Sequence, residues 1–514
     1  MLAVGRPLPS AVQDTRQIAG DLDLDQILDA ALAGLRRRAP DVAPRAGCAS
    51  GVAVRAGRLP DPGSGRCWWG DRGKVARFCF QPGVPADRKA GEGMVPLERT
   101  TCCVVGGGPA GMMVGLLLAR AGVSVTVLEK HRDFLDDFRG DTVHPATLDL
   151  LDDLGLGARF AALPRSQVTE VALPGKGGGL QRIGDFGLLS RFGVRHPYMT
   201  IVPQWDLLDL LATAGREEPT FRLRMGTEAT SVVRAHGRVV GVRYRSASDA
   251  GTQVEGEIRA DLTIACDGRR SVLRAASGLP VREFDVPFDT WWFRLSRRKG
   301  EQSGALTRKA GLGSFAVVIP RQDYFQIGYV APKGTDEQVR ARGIAAFRDE
   351  VAELVPEYAD RVGELVSMDD VKHLEVRFNR LRRWHVDGLL CIGDAAHAMS
   401  PVGGMGVNLA IQDAVATATL LADRLRRGTL GGRDLAGVRR RRLPATLLVQ
   451  ALQRIMHADL AGPLRTRTLA GPPGPILAAV RRFPVLQALG AYLVGVGFRP
   501  ERAPAFARRA PTPA

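Results

Sequence analysis

The residues Gly106-Gly107-Gly108-Pro109-Ala110-Gly111 carry the spacing GxGxxG between an apolar run, Thr101–Val105, and a helical run, Ala110–Ala121, that closes at Gly122. Glycines at 106, 108 and 111 permit a tight turn, close approach of backbone to a pyrophosphate, and close packing of helix on strand. The helix start then offers unpaired N–H groups and a positive dipole end to phosphates. A second apolar run, Val123–Leu128, ends at Glu129 and Lys130, with Glu129 placed 18 residues after Gly111. A carboxylate there accepts both ribose hydroxyls of an adenosine and repels a 2′-phosphate. The pattern therefore points to FAD or NAD, and away from NADP, at this position.

Two later segments separate those alternatives. Asp267-Gly268-Arg269-Arg270-Ser271, with Arg274 one turn on, follows the buried run Ala260–Ala265. Gly393-Asp394-Ala395-Ala396-His397 follows Leu389–Ile392 and leads into Pro401-Val402-Gly403-Gly404-Met405-Gly406-Val407-Asn408. In this order, over about Thr100 to Leu425, the three motifs resemble the flavoprotein monooxygenases of the p-hydroxybenzoate hydroxylase type, the single-component aromatic hydroxylases.

The resemblance implies FAD as cofactor, NADPH or NADH as co-substrate, and hydroxylation of a small aromatic or polyketide-like molecule by dioxygen through a flavin C4a-hydroperoxide. It implies that Asp394 accepts hydrogen bonds from the ribityl hydroxyls. The backbone of Gly403, Gly404, Met405 and Gly406 would lie under the isoalloxazine. A helix starting near Val407 and Asn408 would aim its N–H groups at the pyrimidine end, stabilising negative charge on the reduced ring. Arg139 and Gln204 fall where the family has residues beside FAD, and Asp267 is expected to bridge backbone near the pyrophosphate. His397 is assigned no proton transfer. No catalytic residue is assigned and no metal is expected, because no paired carboxylates, Ser/His/Asp set or ligand cluster carries the resemblance. A second GxGxxG is lacking, which fits a family without a separate NAD(P)H domain.

Only 6% of the chain is aromatic, yet Trp291, Trp292, Phe293, Tyr324, Phe325 and Tyr329 crowd into two strand-like runs. They are candidates to line the substrate pocket, with Trp292, Tyr324 and Tyr329 singled out. Strands bury alternate residues, so about half should pack in the core instead. Two other readings stay open: a flavin-dependent epoxidase, oxidase or reductase acting on a lipid or terpenoid, and a non-catalytic flavoprotein sensor or scaffold. The apolar run Phe483–Phe498 would serve the first by resting on a membrane, although a core or dimer helix is the commoner use of such a run. Monomer and homodimer both remain open.

These residues require an α/β fold: a Rossmann-like FAD-binding domain, an inserted mixed β-sheet substrate domain and a helical C-terminal region. Residues 99–170, 201–282 and 381–425 are expected to form the discontinuous FAD domain, 171–200 and 283–380 the substrate domain, and 426–514 the helical region. Within them, strands are expected at Phe221–Ala235, Arg238–Arg245, Gln253–Arg259 and Ala260–Ala265, and a helix over Glu337–Val355. Residues 1–98 mix Pro, Gly, Arg and Ala with little periodicity and are expected to be a disordered extension, with Met94 a candidate translation start.

Of 514 residues 45% are apolar and 24% charged, so a sizeable core is affordable. The net charge of +17 comes from 71 basic residues, only 8 of them Lys, scattered along the chain apart from Arg439 to Arg442. That distribution speaks for composition bias rather than nucleic-acid binding and suits an anionic cofactor. Seven cysteines, an odd count with Cys102 and Cys103 adjacent and no CxxC, argue against a disulfide framework, a zinc ribbon and a dithiol centre. No run of 18 apolar residues is free of charge, so no membrane span is expected; Met1 to Ser10 has Arg6 but no apolar run of signal-peptide length behind it, so the expected compartment is the cytoplasm.

Overall fold

The computed structural model describes residues 97–135, 142–174, 180–247, 253–301, 307–310, 313–321, 323–466, 482 and 484–510. The chain divides between Met94 and Val95, and only the second unit holds described residues. The expectations for residues 1–96, and for Arg139, lie outside them.

Apolar runs buried on both faces make a parallel sheet. Strands Leu389–Cys391, Gln253–Ala265, Leu97–Val105, Val125–Leu128 and Phe221–Arg224 pair in this order, all parallel. Cys102, Cys103, Val104, Val125, Val127, Leu262 and Ile264 fill its middle and are almost wholly removed from solvent. Helix Pro109–Arg120 packs against the helices Gln204–Arg216 and Met405–Arg426. This is the Rossmann-like arrangement expected.

Three local expectations are corrected. Gln253–Arg259 and Ala260–Ala265 are one strand, Gln253–Ala265. Its first half pairs antiparallel with Arg238–Ala247 and its last residues pair parallel with Leu389–Cys391. The switch from alternating to continuous apolar pattern marks a change of partner, not a break. Phe221–Ala235 is instead two strands, Phe221–Arg224 and Thr227–Ala235, because Gly226 takes φ +61° between them. Glu337–Val355 is likewise two helices, Asp336–Ala341 and Gly343–Leu354, with Gly343 at φ +78°.

A second, antiparallel sheet runs in the order Thr307–Ala310, Phe315–Pro320, Tyr324–Pro332, Phe288–Ser296, Lys372–Leu374. Its two faces serve different neighbours. Trp291, Phe293, Leu295, Phe325, Ile327 and Tyr329 pack with Phe347 and Val351 of the helix Gly343–Leu354. Phe288, Phe315, Val317, Val330 and Trp292 pack instead with Met399, Val402 and Leu409, against the second glycine-rich segment.

Helix Met405–Arg426 is long and apolar enough to cross a membrane by composition, but most of that span is buried inside the fold. The apolar stretch after Phe483 forms the helix Pro484–Gly495. Its Ala491, Tyr492 and Val494 pack on Phe186, Leu189 and Ile201, which is the core use of the segment.

Candidate functional site

The first glycine-rich turn has no room for side chains where backbone must meet backbone. A Cβ on Gly106, which sits at φ +103°, would lie 2.4 Å from the Cys266 carbonyl oxygen, and one on Gly111 would lie 1.9 Å from that of Gly106. Gly108 is different. It is the N-cap of helix Pro109–Arg120, and a Cβ there would meet nothing within 4 Å. That helix start has no side-chain cap and no acidic residue in its first turn. Free N–H groups facing open space fit a pyrophosphate.

Glu129 closes the next strand, almost buried. Its Oε2 accepts the Gly107 N–H at 2.7 Å and its Oε1 the His131 N–H at 3.0 Å. Each oxygen keeps a lone pair for a ribose hydroxyl. The same carboxylate therefore ties the turn, while Lys130 beside it is exposed. Glu129→Ala is expected to weaken FAD binding by about 1–3 kcal/mol, measured by FAD retention on titration of the apoprotein. Unchanged affinity would remove Glu129 from the site.

Asp267 turns its carboxylate inward. Its Oδ1 accepts from the Oγ of Ser271, the N-cap of the short helix Val272–Ser277, at 2.5 Å, and its Oδ2 from the Leu273 N–H in that helix's first turn at 3.1 Å. Burial raises its pKa, and these hydrogen bonds partly offset the rise. Gly106 abuts the Asp267 backbone, and Gly268 at φ +80° makes the turn. Asp267 thus holds the start of that helix, beside the first glycine-rich turn.

Asp394 lies in the turn Gly393–Ala395, with Gly393 at φ +58°. Its side chain is about 29% exposed, and Arg269 Nη2 reaches its Oδ2 at 3.4 Å. Buried Arg274 donates to the Ala395 carbonyl at 3.1 Å and the Arg269 carbonyl at 2.7 Å, joining the two loops. The Gly393 N–H donates to Asp413 Oδ2 at 3.2 Å. Asp413 also accepts from His397 Nε2 at 2.5 Å and Arg442 Nε at 3.0 Å, all three side chains being 1% exposed or less. Burial pushes the Asp413 carboxyl up, but His397 and Arg442 outweigh it and hold it below the usual value. His397 is therefore a structural partner of Asp413.

Gly403 and Gly404 take φ +79° and +61°, and Gly404 is the N-cap of helix Met405–Arg426. The helix starts at Met405, two residues earlier than expected, because the paired left-handed glycines complete the turn after Pro401. Gly404 presses on Thr142, while a Cβ on Gly406 would touch only Met399 at 3.5 Å. The Met405 side chain is buried. No side chain caps this helix and its first turn has no acid, so the early N–H groups, including that of Val407, are open to an acceptor.

Asn408 requires a correction. Its Oδ1 accepts from the His144 N–H at 2.9 Å and Thr147 Oγ1 at 2.8 Å, and its Nδ2 donates to the Thr142 and Gly404 carbonyls at 3.0 and 3.2 Å. With all four capacities taken, its side chain positions the turn rather than touching a ligand. Gln204, at the start of its helix, is buried rather than solvent-facing.

The aromatic candidates split by strand alternation. Trp292 pairs with Gly328 and Ser296 with Tyr324, so Trp292, Arg294 and Tyr324 share the face that meets Met399 and Val402. The Arg294 guanidinium lies 4.8 Å from the Tyr324 ring centroid and 5.3 Å from that of Trp205, next to Gln204. Tyr329 is on the other face. It is buried against Phe347 and donates to Glu350 Oε1 at 2.5 Å. It is removed from the substrate set, since an odd-numbered position on this strand faces away.

Among the described residues no His, Cys, Asp and Glu group is arranged to hold a metal. Cys102, Cys103, Cys266 and Cys391 are free thiols, and burial raises the pKa of each, that of Cys103 to about 12. None offers redox chemistry.

A parallel sheet with an uncapped helix at its first turn, an acid on the next strand, and a second uncapped helix behind two left-handed glycines together define an FAD-dependent oxidoreductase. The chain belongs to the FAD binding domain family, whose model matches residues 99–451. It is 35% identical to 6-methylpretetramide 4-monooxygenase of Streptomyces rimosus over 68% of this chain and 81% of that protein. It is 27% identical to protoasukamycin 4-monooxygenase of Streptomyces nodosus subsp. asukaensis over 64% of this chain and 81% of that one. In fold it matches the OxyS anhydrotetracycline hydroxylase from Streptomyces rimosus with a TM-score of 0.60 at 23% identity, covering 79% of this chain and 77% of that one. PqsL, a probable FAD-dependent monooxygenase from Pseudomonas aeruginosa, matches with a TM-score of 0.59 at 20% identity, covering 75% of this chain and all of that one.

Proposed function

We propose that this FAD-dependent monooxygenase uses NAD(P)H and dioxygen to hydroxylate a fused-ring aromatic molecule of the polyketide type. The observation that carries the reading is the sheet face bearing Trp292 and Tyr324, set against Met399 and Val402 directly before the Gly403–Gly406 turn. The relative that acts on 6-methylpretetramide supports the substrate class.

The bound FAD supplies hydride acceptance and oxygen activation. The chain does the rest. Gly106, Gly108 and Gly111 let the pyrophosphate approach the helix start at Pro109 and Ala110, and Glu129 holds the adenosine ribose. Asp394 accepts from the ribityl hydroxyls, and Asp267 with Gly268 keeps the adjoining loop in place. The N–H groups at Met405, Gly406 and Val407 stabilise negative charge on the ring. Trp292 and Tyr324 would hold the aromatic substrate, and the apolar wall of Phe288, Phe315 and Val317 would exclude water.

Purified holoenzyme supplied with NADPH or NADH under 18O2 is expected to consume reductant faster with a hydroxylated fused-ring aromatic and to place one labelled oxygen in the product. Reductant consumption that yields only hydrogen peroxide across a panel of such aromatics would overturn the reading.

A further inference from the structure

The C-terminal helix Gly432–Thr466 brings one face to the second glycine-rich segment. Gln453 Nε2 donates to the Ser400 and Val402 carbonyls at 2.9 and 2.8 Å, immediately before Gly403. One turn on, His457 is 4% exposed. Its ring stands edge-on to Phe288 at 5.4 Å and to Phe378 at 5.2 Å. Leu460 and Leu464 then join Phe288, Phe378, Met399 and Val402 in one apolar cluster. The helix therefore faces the same wall as Trp292.

Several polar atoms at this wall lack a protein partner. His457 Nδ1 and Nε2, Trp292 Nε1 and Thr290 Oγ1 are buried with no hydrogen bond among the described residues. Thr290 and Trp292 follow Phe288 at alternate positions on one strand face. Native interiors leave few such groups unpaired, and each calls for an explanation. Their gathering on one apolar wall beside the glycine turn is explained by a ligand that carries its own oxygens.

We propose that His457, together with Trp292 and Thr290, forms a substrate-orienting set that hydrogen-bonds the hydroxyl and carbonyl oxygens of a fused-ring aromatic substrate, with His457 setting specificity for those oxygens. This rests on the substrate class proposed above. Burial, and then the neighbouring Arg454 charge, pull the His457 pKa down to about 4, so its ring is neutral at pH 7. A neutral imidazole donates from one nitrogen and accepts at the other, which suits a phenol beside a ketone. The indole N–H only donates and matches the ketone. From Phe288 to Trp292 the strand advances roughly 13 Å, a span suited to several fused rings rather than one.

The test titrates FAD-loaded protein with 1,8-dihydroxynaphthalene and with naphthalene, following the flavin absorbance. Wild-type protein is expected to favour the dihydroxy compound. His457→Phe is expected to weaken that compound roughly tenfold while leaving naphthalene binding nearly unchanged, and Trp292→Phe, which also loses ring contact, to weaken the dihydroxy compound roughly tenfold more than it weakens naphthalene. His457→Gln, which keeps a donor and an acceptor, should restore much of the preference. A packing role alone would weaken both probes equally, and that result, or an unaltered preference in the variants, overturns the set. If His457→Phe does not retain FAD, Trp292→Phe decides by the same criterion. Wild-type protein that binds both probes without preference sinks the orienting set and leaves the substrate class standing. Wild-type protein that binds neither sinks both.

Discussion

Asp394→Ala is expected to retain FAD poorly and, in the holoenzyme that remains, to hydroxylate on the order of 100-fold more slowly, with reductant diverted to hydrogen peroxide. The carboxylate sits in a tight turn whose Gly393 is at φ +58°, with its backbone fixed by Arg274 and Asp413. One oxygen faces Arg269 at a long 3.4 Å, so among the described residues the group is only loosely engaged and could accept from ribityl hydroxyls. Losing it would remove the charge-assisted hydrogen bonds it could give FAD and would leave the cofactor less well positioned, and a shift of about 1 Å can cost roughly two orders of magnitude in rate.

Asp267→Ala is the comparison. Its carboxylate holds Ser271 Oγ and the Leu273 N–H at the start of a short helix beside the first glycine-rich turn, so its loss should lower stability and FAD affinity with a smaller effect on the fraction of reductant that ends in product. Stopped-flow reduction with peroxide detection reads both. Wild-type coupling in Asp394→Ala at full FAD content would remove Asp394 from the flavin site.

The cofactor half of the site was legible because its constraints are local. Glycines at fixed spacing after an apolar run, and an acid at the end of the next one, state the turn before any tertiary contact is known. The structure then adds the reason for each glycine, such as the 1.9 Å that a Cβ on Gly111 would leave to the Gly106 carbonyl. The substrate half was less legible. Tyr329 and Tyr324 are both aromatic residues on one strand, yet an odd offset places them on opposite faces, and composition carries no information on which face meets the flavin. Asn408 belongs to a recognisable motif, but its hydrogen bonds to Thr142, His144 and Thr147 cross more than 260 residues. His457 gave no signal, and Arg442 stood out only as the end of the basic run Arg439 to Arg442, because a helix rich in Arg and Leu looks the same whether it packs on solvent or on the site.

The buried charges give the largest expected effect on stability. Asp413 faces Arg442 and His397, and Arg442 Nη1 lies 3.6 Å from Glu501 Oε1, every one of these side chains being 3% exposed or less. Such a network is weak evidence of net stabilisation, yet breaking it is costly, because the remaining charge has neither water nor partner. Asp413→Asn sets an amide N–H₂ against donors and leaves Arg442 with Glu501 alone. The expected loss is about 3–5 kcal/mol, read as a lower urea midpoint for the apoprotein at unchanged slope. FAD affinity should fall as well, since Asp413 also holds the Gly393 N–H beside Asp394. The sign with pH follows from the lowered Asp413 pKa. Its stabilisation is fully present above the ordinary carboxyl value of 3.8 and is lost as pH falls through the lower folded-state value. The gap between wild type and Asp413→Asn should therefore be wide at neutral pH and close in strong acid. A double replacement, Asp413→Leu with Arg442→Met, removes both charges and is expected to be less damaging than the single change. A single variant within about 1 kcal/mol of wild type at pH 7 would show that the network does not hold the second glycine-rich turn in place.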